Sequence, residues 1–241
     1  MSKNVIITGT SRGIGLELIK LFSNSGFNVL SLSRNITNTE KLNLNNTSFL
    51  PFDITKENDH LLVNKFISKN WKSVDILINN AGTNRPAKLI DTKIEDFDYV
   101  MSLNVRSVIS LTKLVVKKML DSNIKGSIIN VSSQMGHVGG PNRTTYCSSK
   151  FAIEGFTKSL AIELGPDGIR VNAICPTFIQ TPMTEPFLKD EDFKKATVGM
   201  IPIGRLGEVT DLMGPFVFLA SEASSLMTGS SILVDGGWTA R

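Results

Sequence analysis

The sequence predicts an α/β protein: an open, doubly wound parallel sheet of about seven strands with helices on both faces. Three observations predict it. Short apolar runs rich in Val and Ile alternate with longer stretches of helical periodicity. Three glycines, Gly9, Gly13 and Gly15, cluster at the first strand–helix junction. A length of 241 residues, with 41% hydrophobic and 20% charged side chains, suits one large domain over residues 1–241 better than two small ones.

Val5 to Thr8 is the first apolar strand, and Leu16 to Phe22 is helical. Between them runs Gly9-Thr10-Ser11-Arg12-Gly13-Ile14-Gly15. Strand, glycine turn and helix make a Rossmann-type dinucleotide site. Glycines let the backbone approach a pyrophosphate, and the helix N-terminus meets its charge. Gly26 ends the helix, and Phe27 to Leu32 is the second strand. An NAD-binding chain carries an acid near its end for the ribose hydroxyl. Here Ser33-Arg34-Asn35 follow, with no acid before Glu40. Arg34 can fork onto a 2′-phosphate, with Arg12 as its partner, which favours NADP(H) over NAD(H).

Thr47 to Phe52 is a third strand ending at Asp53, which can meet an adenine amino group or cap the helix from Lys56 to Lys69. Val74 to Ile78 is a fourth strand, running into Asn79-Asn80-Ala81-Gly82, small enough to pass close to a flat ligand. Ile94 to Lys118 reads as helix, in two successive pieces, with Asn104 inside; asparagine is a mediocre helix former, so it is either functional or a satisfied buried amide. Ser127 to Val131 is a buried strand with Ser133 just past its end. Helix continues from Tyr146 through Leu164, and Ile169 to Ile174 is strand six. Cys175 to Pro182 is a loop, and the charge-rich stretch 183–203 is compatible with a mobile lid. Glu208 to Ala220 is helical, and Ile232 to Val234 is the last strand.

Tyr146 and Lys150 are four residues apart, so on a helix they share one face. A free tyrosine titrates near 10 and is a poor base at neutral pH; a fixed ammonium favours the phenolate. Lowering it by about three units takes roughly 4 kcal/mol. A charge pair about 4 Å apart supplies that only at an effective dielectric near 20, in a sheltered cleft. The glycine-rich loop Gly136 to Pro141 can fold back and bring Ser133 to the tyrosine. Ser133 would then donate to an oxygen as charge develops on it, while Tyr146 passes a proton and the cofactor supplies hydride. A serine nucleophile would need a base beside it, and the only histidines are His60 and His137.

Net charge is +4 with Lys and Arg scattered, which argues against a nucleic-acid partner. Two cysteines, Cys147 and Cys175, lack metal-type spacing and point to a reducing compartment. The start enters a strand without a signal peptide, and no apolar stretch is expected to reach membrane-spanning length, so the reading is cytoplasmic, with no membrane partner and no metal.

Taken in order, Thr8-Gly9-x-x-x-Gly13-Ile14-Gly15, Asn79-Asn80-Ala81-Gly82, Asn104, Ser133, Tyr146-x-x-x-Lys150 and Pro176 with Thr181 resemble the classical short-chain dehydrogenase/reductases, end to end. The resemblance implies that Tyr146 is the acid/base, that Ser133 binds the substrate oxygen, and that Lys150 lowers the tyrosine pKa and holds the nicotinamide ribose. It implies that Asn104 supports a water linking Lys150 to solvent. It assigns cofactor contacts to Gly9, Ser11, Arg12, Gly13, Ile14, Gly15, Arg34, Asp53, Ile54, Asn80, Ala81, Gly82, Pro176, Ile179 and Thr181. It also implies a homotetramer. Pro176-Thr177 departs from the family's usual Pro-Gly, and threonine resists positive φ.

The Val234-Asp235-Gly236-Gly237-Trp238 and Asn80-to-Pro86 segments resemble sugar-acid and polyol members such as gluconate 5-dehydrogenases. The overall pattern is also similar to 3-oxoacyl-acyl-carrier-protein reductases. Those place arginines before strands five and six to dock an acidic carrier; here Ile124-Lys125 and Pro166-Asp167 stand there. A small free substrate is therefore expected, with Arg85 against an anionic group and His137 lining the pocket. A nucleotide-sensing protein without catalysis is the rival of another class.

Overall fold

The strand β1 (Asn4–Thr8) is apolar along its length because it lies mid-sheet, covered on both faces. The structure is a computed structural model that describes residues 2–240. Around β1 stand β2 (Asn28–Ser33), β3 (Thr47–Pro51), β4 (Ile76–Asn79), β5 (Ser127–Val131), β6 (Arg170–Pro176) and β7 (Ser231–Val234), in the order β3-β2-β1-β4-β5-β6-β7. Every pairing is parallel. The helices are α1 (Gly13–Asn24), α2 (Thr37–Glu40), α3 (Glu57–Asn70), α4 (Ile94–Met101), α5 (Ser107–Asp121), α6 (Thr144–Leu164), α7 (Glu185–Leu188), α8 (Glu191–Gly199) and α9 (Thr210–Ala220).

Side chains alternate across the strands and so feed two cores. Ile6, Leu30, Leu77 and Ile128 pack with Val63 and Ile67 of α3, Leu111 and Val115 of α5, and Leu164 of α6. Val5, Ile7, Val29 and Ile129 pack on the other face with Leu18 and Phe22 of α1 and Leu212 and Phe216 of α9. The direction of crossover reverses at β1 and β4, which opens a crevice beyond their C-terminal ends.

The stretch expected as two helices, Ile94 to Lys118, is α4 and α5 joined by a π turn, Ser102–Arg106, without a break. The 28-residue run Ile94–Asp121 is long and apolar enough to cross a membrane by length and composition. This corrects the expectation that no segment reaches that length. Its apolar stripe is taken up by the sheet, where Leu111, Val115 and Met119 have no solvent exposure. The stretch 183–203 contains two short helices, α7 and α8.

A polar rung crosses the core between α5 and α6. Asn79 and Asn130 are register partners on β4 and β5. Asn79 Nδ2 donates to Thr112 Oγ1 at 3.0 Å and to Asn130 Oδ1 at 2.8 Å, and Asn130 Nδ2 donates to Thr157 Oγ1 at 2.9 Å. All four side chains are buried. The rung fixes the ends of β4 and β5 just where the crevice begins. Asn130→Ala leaves the Asn79 amide with only Thr112 as acceptor and removes the Asn130 donor from the buried Thr157 hydroxyl, a loss of about 1–3 kcal/mol. Urea unfolding of that variant should show a loss in this range; a loss under about 0.5 kcal/mol would mean the rung contributes little.

Candidate active site

A cleft of roughly 630 Å³ runs along the C-terminal ends of the strands. That size suits a dinucleotide with a small substrate. Its first wall is the glycine loop, lined by Gly9, Ser11, Arg12, Gly13 and Ile14. Gly9 has φ +71°, and a Cβ there would fall 2.8 Å from Ala81 Cα. Gly15 does not line the cleft. It lies beneath, where a Cβ would sit 2.3 Å from the Gly9 carbonyl oxygen, so it lets α1 pack under the loop.

Polar side chains tie this loop to β4. Thr8 Oγ1 accepts from the Asn80 and Ala81 amides at 3.0 and 2.9 Å. Asn80 Nδ2 donates to the carbonyls of Thr8 and Gly9 at 2.9 and 3.2 Å. Asn80, Ala81 and Gly82 therefore line the cleft and also hold its first wall.

At the β2 end, Ser33, Arg34 and Asn35 line the cleft, and Glu40 does not. Asp53 and Ile54 lie opposite. Burial pushes the Asp53 carboxyl up, but hydrogen bonds from Thr55 and the charge of Arg34 bring it below its ordinary value overall. Its Oδ1 accepts from the Thr55 amide and hydroxyl at 3.1 and 2.7 Å.

The opposite wall comes from the loop after β6, where Pro176, Thr177, Ile179 and Thr181 line the cleft. Thr181 closes over the glycine loop, its Cβ 3.4 Å from where a Gly13 Cβ would stand. Positive φ among described non-glycine residues occurs only at Asn43, Asn46, Asn123 and Asn142, so this loop runs through Thr177 without left-handed strain. The Thr177 amide donates to the Val234 carbonyl at 3.2 Å, and its buried Oγ1 has no partner.

Ser133, Tyr146 and Lys150 meet on the cleft floor. Ser133 caps a 3₁₀ turn, its Oγ accepting from the Met135 amide at 3.1 Å, and its hydroxyl lies near enough to the Tyr146 phenol to favour its ionised form. The tyrosine keeps some exposure along the cleft while its hydroxyl end is fully enclosed. Burial pushes that phenol up to about 12, against the pull of Ser133 and Arg143. Lys150 is buried at 6% exposure, and burial lowers it to about 8. Its Nζ donates to the Val131 carbonyl at 2.9 Å and stands 5.5 Å from the Tyr146 ring centroid. The spacing predicts an ammonium that lowers the phenol's pKa. Instead burial dominates the phenol, and the ammonium turns to the Val131 carbonyl of the sheet.

Asn104 stands in the π turn behind this floor and is not on its surface. Its Oδ1 accepts from the Thr83 amide at 2.8 Å; its Nδ2 donates to the Thr83 carbonyl at 2.9 Å and to Ser149 Oγ at 3.0 Å. Ser149 in turn donates to the Tyr146 carbonyl at 2.7 Å. A Cβ on Gly82 would lie 3.4 Å from Asn104 Oδ1 and 3.8 Å from Lys150 Nζ, so the three are neighbours.

Two residues expected at the substrate lie elsewhere. Arg85 does not line the cleft; it is over the Tyr99 ring at 5.4 Å and 3.7 Å from Asp96. His137 faces away, its Nε2 3.4 Å from Cys175 Sγ and 3.6 Å from Glu154 Oε2. Arg143 is the cation that sequence reading passed over. It is 7% exposed, acts through space on the Tyr146 phenol, and lies over the Phe187 ring at 5.4 Å. No carboxylate pairs with it among the described residues. Its position at the N-terminal edge of the Tyr146 helix, three residues before the tyrosine, was the available signal.

The Lys150 shift has a consequence for stability. Between its folded value of about 8 and the ordinary 10.5, the unfolded chain binds a proton that the folded chain has released. Stability therefore rises with pH across that window, and the penalty is fully present below it. Tyr146 acts oppositely, its contribution falling between the ordinary 10.0 and about 12. In cofactor-free protein, wild type should gain stability relative to Lys150→Met as pH rises from about 8 to about 10 in urea titrations. A gap constant with pH would contradict a depressed lysine.

A family model described as enoyl-(acyl carrier protein) reductase matches residues 9–239. The chain is 36% identical over 242 residues to 3-oxoacyl-[acyl-carrier-protein] reductase FabG of Thermotoga maritima, covering 98% of this chain and 97% of that protein. It is 34% identical over 240 residues to gluconate 5-dehydrogenase of Gluconobacter oxydans, covering 97% and 93%. Among solved structures, ElxO with NADP bound superposes with a TM-score of 0.92 at 31% identity, over the whole of both chains. With its seven-stranded parallel sheet and a cleft at the strand ends, the chain belongs to the short-chain dehydrogenase/reductase family of oxidoreductases.

Proposed function

We propose that this chain, acting as one domain over residues 1–241, interconverts a secondary alcohol and a ketone with NADP(H), on a small polar sugar acid or polyol. The observation that carries the reading is that Ser133, Tyr146 and Lys150 line one stretch of the cleft floor, with Lys150 one helical turn from Tyr146 and held beside its ring. Arg34 and Arg12, with no acid at the end of β2, fit a 2′-phosphate, and the NADP-bound ElxO structure supports the same cofactor. Bound there, NADPH supplies the hydride. Burial keeps the Tyr146 phenol protonated at neutral pH, so it can hand a proton to the carbonyl oxygen in the reducing direction. Ser133 steadies the carbonyl oxygen, Lys150 holds the ribose side, and Asn104 positions the Gly82–Thr83 backbone and the helix turn bearing Tyr146.

Arg143 is what points to an anionic substrate. A buried guanidinium without a carboxylate is costly, and a substrate carboxylate beside Tyr146 would satisfy it. Arg143, like Arg85, is set back from the cleft lining, but it acts on the Tyr146 phenol and so would take the role expected of Arg85. The second reading, reduction of a 3-oxoacyl-[acyl-carrier-protein], is supported by the likeness to the Thermotoga enzyme. Asp167, at the place where such enzymes dock an acidic carrier, weighs against it. Exposed Ile109, Phe151 and Ile162 on α5 and α6 support a homotetramer.

Absorbance at 340 nm, followed with NADPH or NADH and a panel of ketoacids, ketoses and acetoacetyl thioesters, tests the reading. Turnover of a ketoacid or ketose with NADPH is expected. Tyr146→Phe should bind NADPH as wild type yet lose about 10²–10⁴ in kcat. Full activity in that variant would end the proposal. Arg143→Leu should raise KM for carboxylate substrates about tenfold or more, since a charged hydrogen bond is worth about 1.5–3 kcal/mol, and leave neutral ketoses little changed. An equal effect on both would remove the anion site.

A further inference from the structure

Behind the cleft floor, three side chains of metal-ligating chemistry converge from three segments. His137 follows Ser133 by four residues, Glu154 follows Lys150 by one helical turn, and Cys175 precedes Pro176. None lines the cleft. His137 Nε2 is 3.4 Å from Cys175 Sγ and 3.6 Å from Glu154 Oε2, and Cys175 Sγ is 3.2 Å from Glu154 Oε1. Nitrogen, sulfur and oxygen bound tetrahedrally at about 2.0–2.3 Å are separated by about 3.3–3.6 Å. The three contacts have such lengths, with the carboxylate offering Oε2 to the imidazole and Oε1 to the sulfur; taking one atom from each residue, all three lie within 4.8 Å of one another, so a small closing of the group brings them to one ion.

The surroundings favour a cation. Glu154 and Cys175 are buried, and only His137 opens toward solvent, its side chain 29% exposed. The carboxylate takes hydrogen bonds from Ser231 and the thiol, and no Lys or Arg pairs with it among the described residues. The Lys150 ammonium acts on Glu154 and Cys175 through space without pairing with either, which leaves His137 as the only basic side chain in contact with the buried carboxylate among the described residues. The Ser132 hydroxyl is buried beside the Cys175 thiol. A Cβ on Gly136 would lie 2.9 Å from that oxygen and 3.0 Å from Glu154 Cγ, so the hydroxyl borders the same cluster and offers a fourth oxygen, directly or through water.

We propose that His137, Glu154 and Cys175 form a structural site for a borderline divalent metal ion, with Zn²⁺ the best match. A thiolate–imidazole–carboxylate set disfavours Mg²⁺ and Ca²⁺, which take all-oxygen shells, and suits a d¹⁰ ion of free geometry. Binding sends the thiol proton to solvent and changes no oxidation state. The ion would clamp together the Ser133 turn, the Tyr146–Lys150 helix and the end of β6, the segments that carry the catalytic floor and the wall beyond it.

Cobalt(II) titrated into the full chain is the test, because its readout does not depend on turnover. One equivalent should bind, with the intense visible absorption of four-coordinate cobalt and a near-ultraviolet thiolate charge-transfer band, and Zn²⁺ should displace it. Cys175→Ser should abolish the charge-transfer band, and His137→Ala, at the solvent side where folding is least at risk, should weaken binding about tenfold or more. Zn²⁺ should raise the Tm of wild type and not of His137→Ala. A pale six-coordinate spectrum, or a charge-transfer band that survives Cys175→Ser through Cys147, would overturn the site.

Discussion

The Lys150 ammonium is the constraint around which this site is assembled. It is buried, it is held by the Val131 carbonyl at 2.9 Å, and its desolvation is the main cost of placing it there. That hydrogen bond fastens α6 to the C-terminal end of β5. Because Tyr146 is one turn earlier on the same helix, fastening the lysine also sets the phenol over the cleft floor. Ser133, two residues beyond Val131, meets the phenol from the strand side. One buried cation thus aligns a helix and a strand end. A side chain that merely pointed into solvent could not do this.

Most other polar residues at the cleft hold backbone. Thr8 and Asn80 join the ends of β1 and β4, so the glycine loop and the Asn80–Gly82 segment keep a fixed separation. Asn104 binds both polar groups of Thr83 and, through Ser149, the turn of α6 that carries Tyr146. It does so from a π turn, where a regular helix would aim the side chain elsewhere. A wall built this way is rigid before any ligand arrives, and the ordering cost of binding falls accordingly.

Features legible in the sequence were local ones. Alternating apolar runs gave the strands, the glycine trio marked the first junction, and the four-residue spacing put Tyr146 and Lys150 on one face. Choices made by tertiary contacts were not legible. Spacing brought the lysine near the ring, but the carbonyl that captures its ammonium comes from another strand, so the direction of the Tyr146 shift could not be read. His137 follows Ser133 closely, yet the 3₁₀ turn at Gln134–Gly136 swings it to Glu154 and Cys175. Arg85 was named because it follows the Asn80–Gly82 segment, while Asp96 and Tyr99, distant in sequence, take it. The apolar run through α4 and α5 reads as interrupted at Asn104, and only the π turn shows that it continues.

The two cations near the phenol divide its surroundings. Lys150 stands on the sheet side, and Arg143 lies against the ring of Phe187 of α7. Phe187 in turn meets Phe193 of α8 at 6.4 Å, and Phe193 meets Phe178 at 5.8 Å, which stacks near Trp238 at 5.8 Å. Aromatic cover over a buried guanidinium lowers the local dielectric, which strengthens any charge pair formed there and makes an unpaired one more costly. On the proposed function, discrimination among substrates would fall on the group that meets Arg143 more than on the carbonyl. A neutral ketose would leave the guanidinium unsatisfied; a ketoacid of the same length would not. Selectivity would then rest on the cost of a buried charge, carried by a residue three positions from the proposed acid.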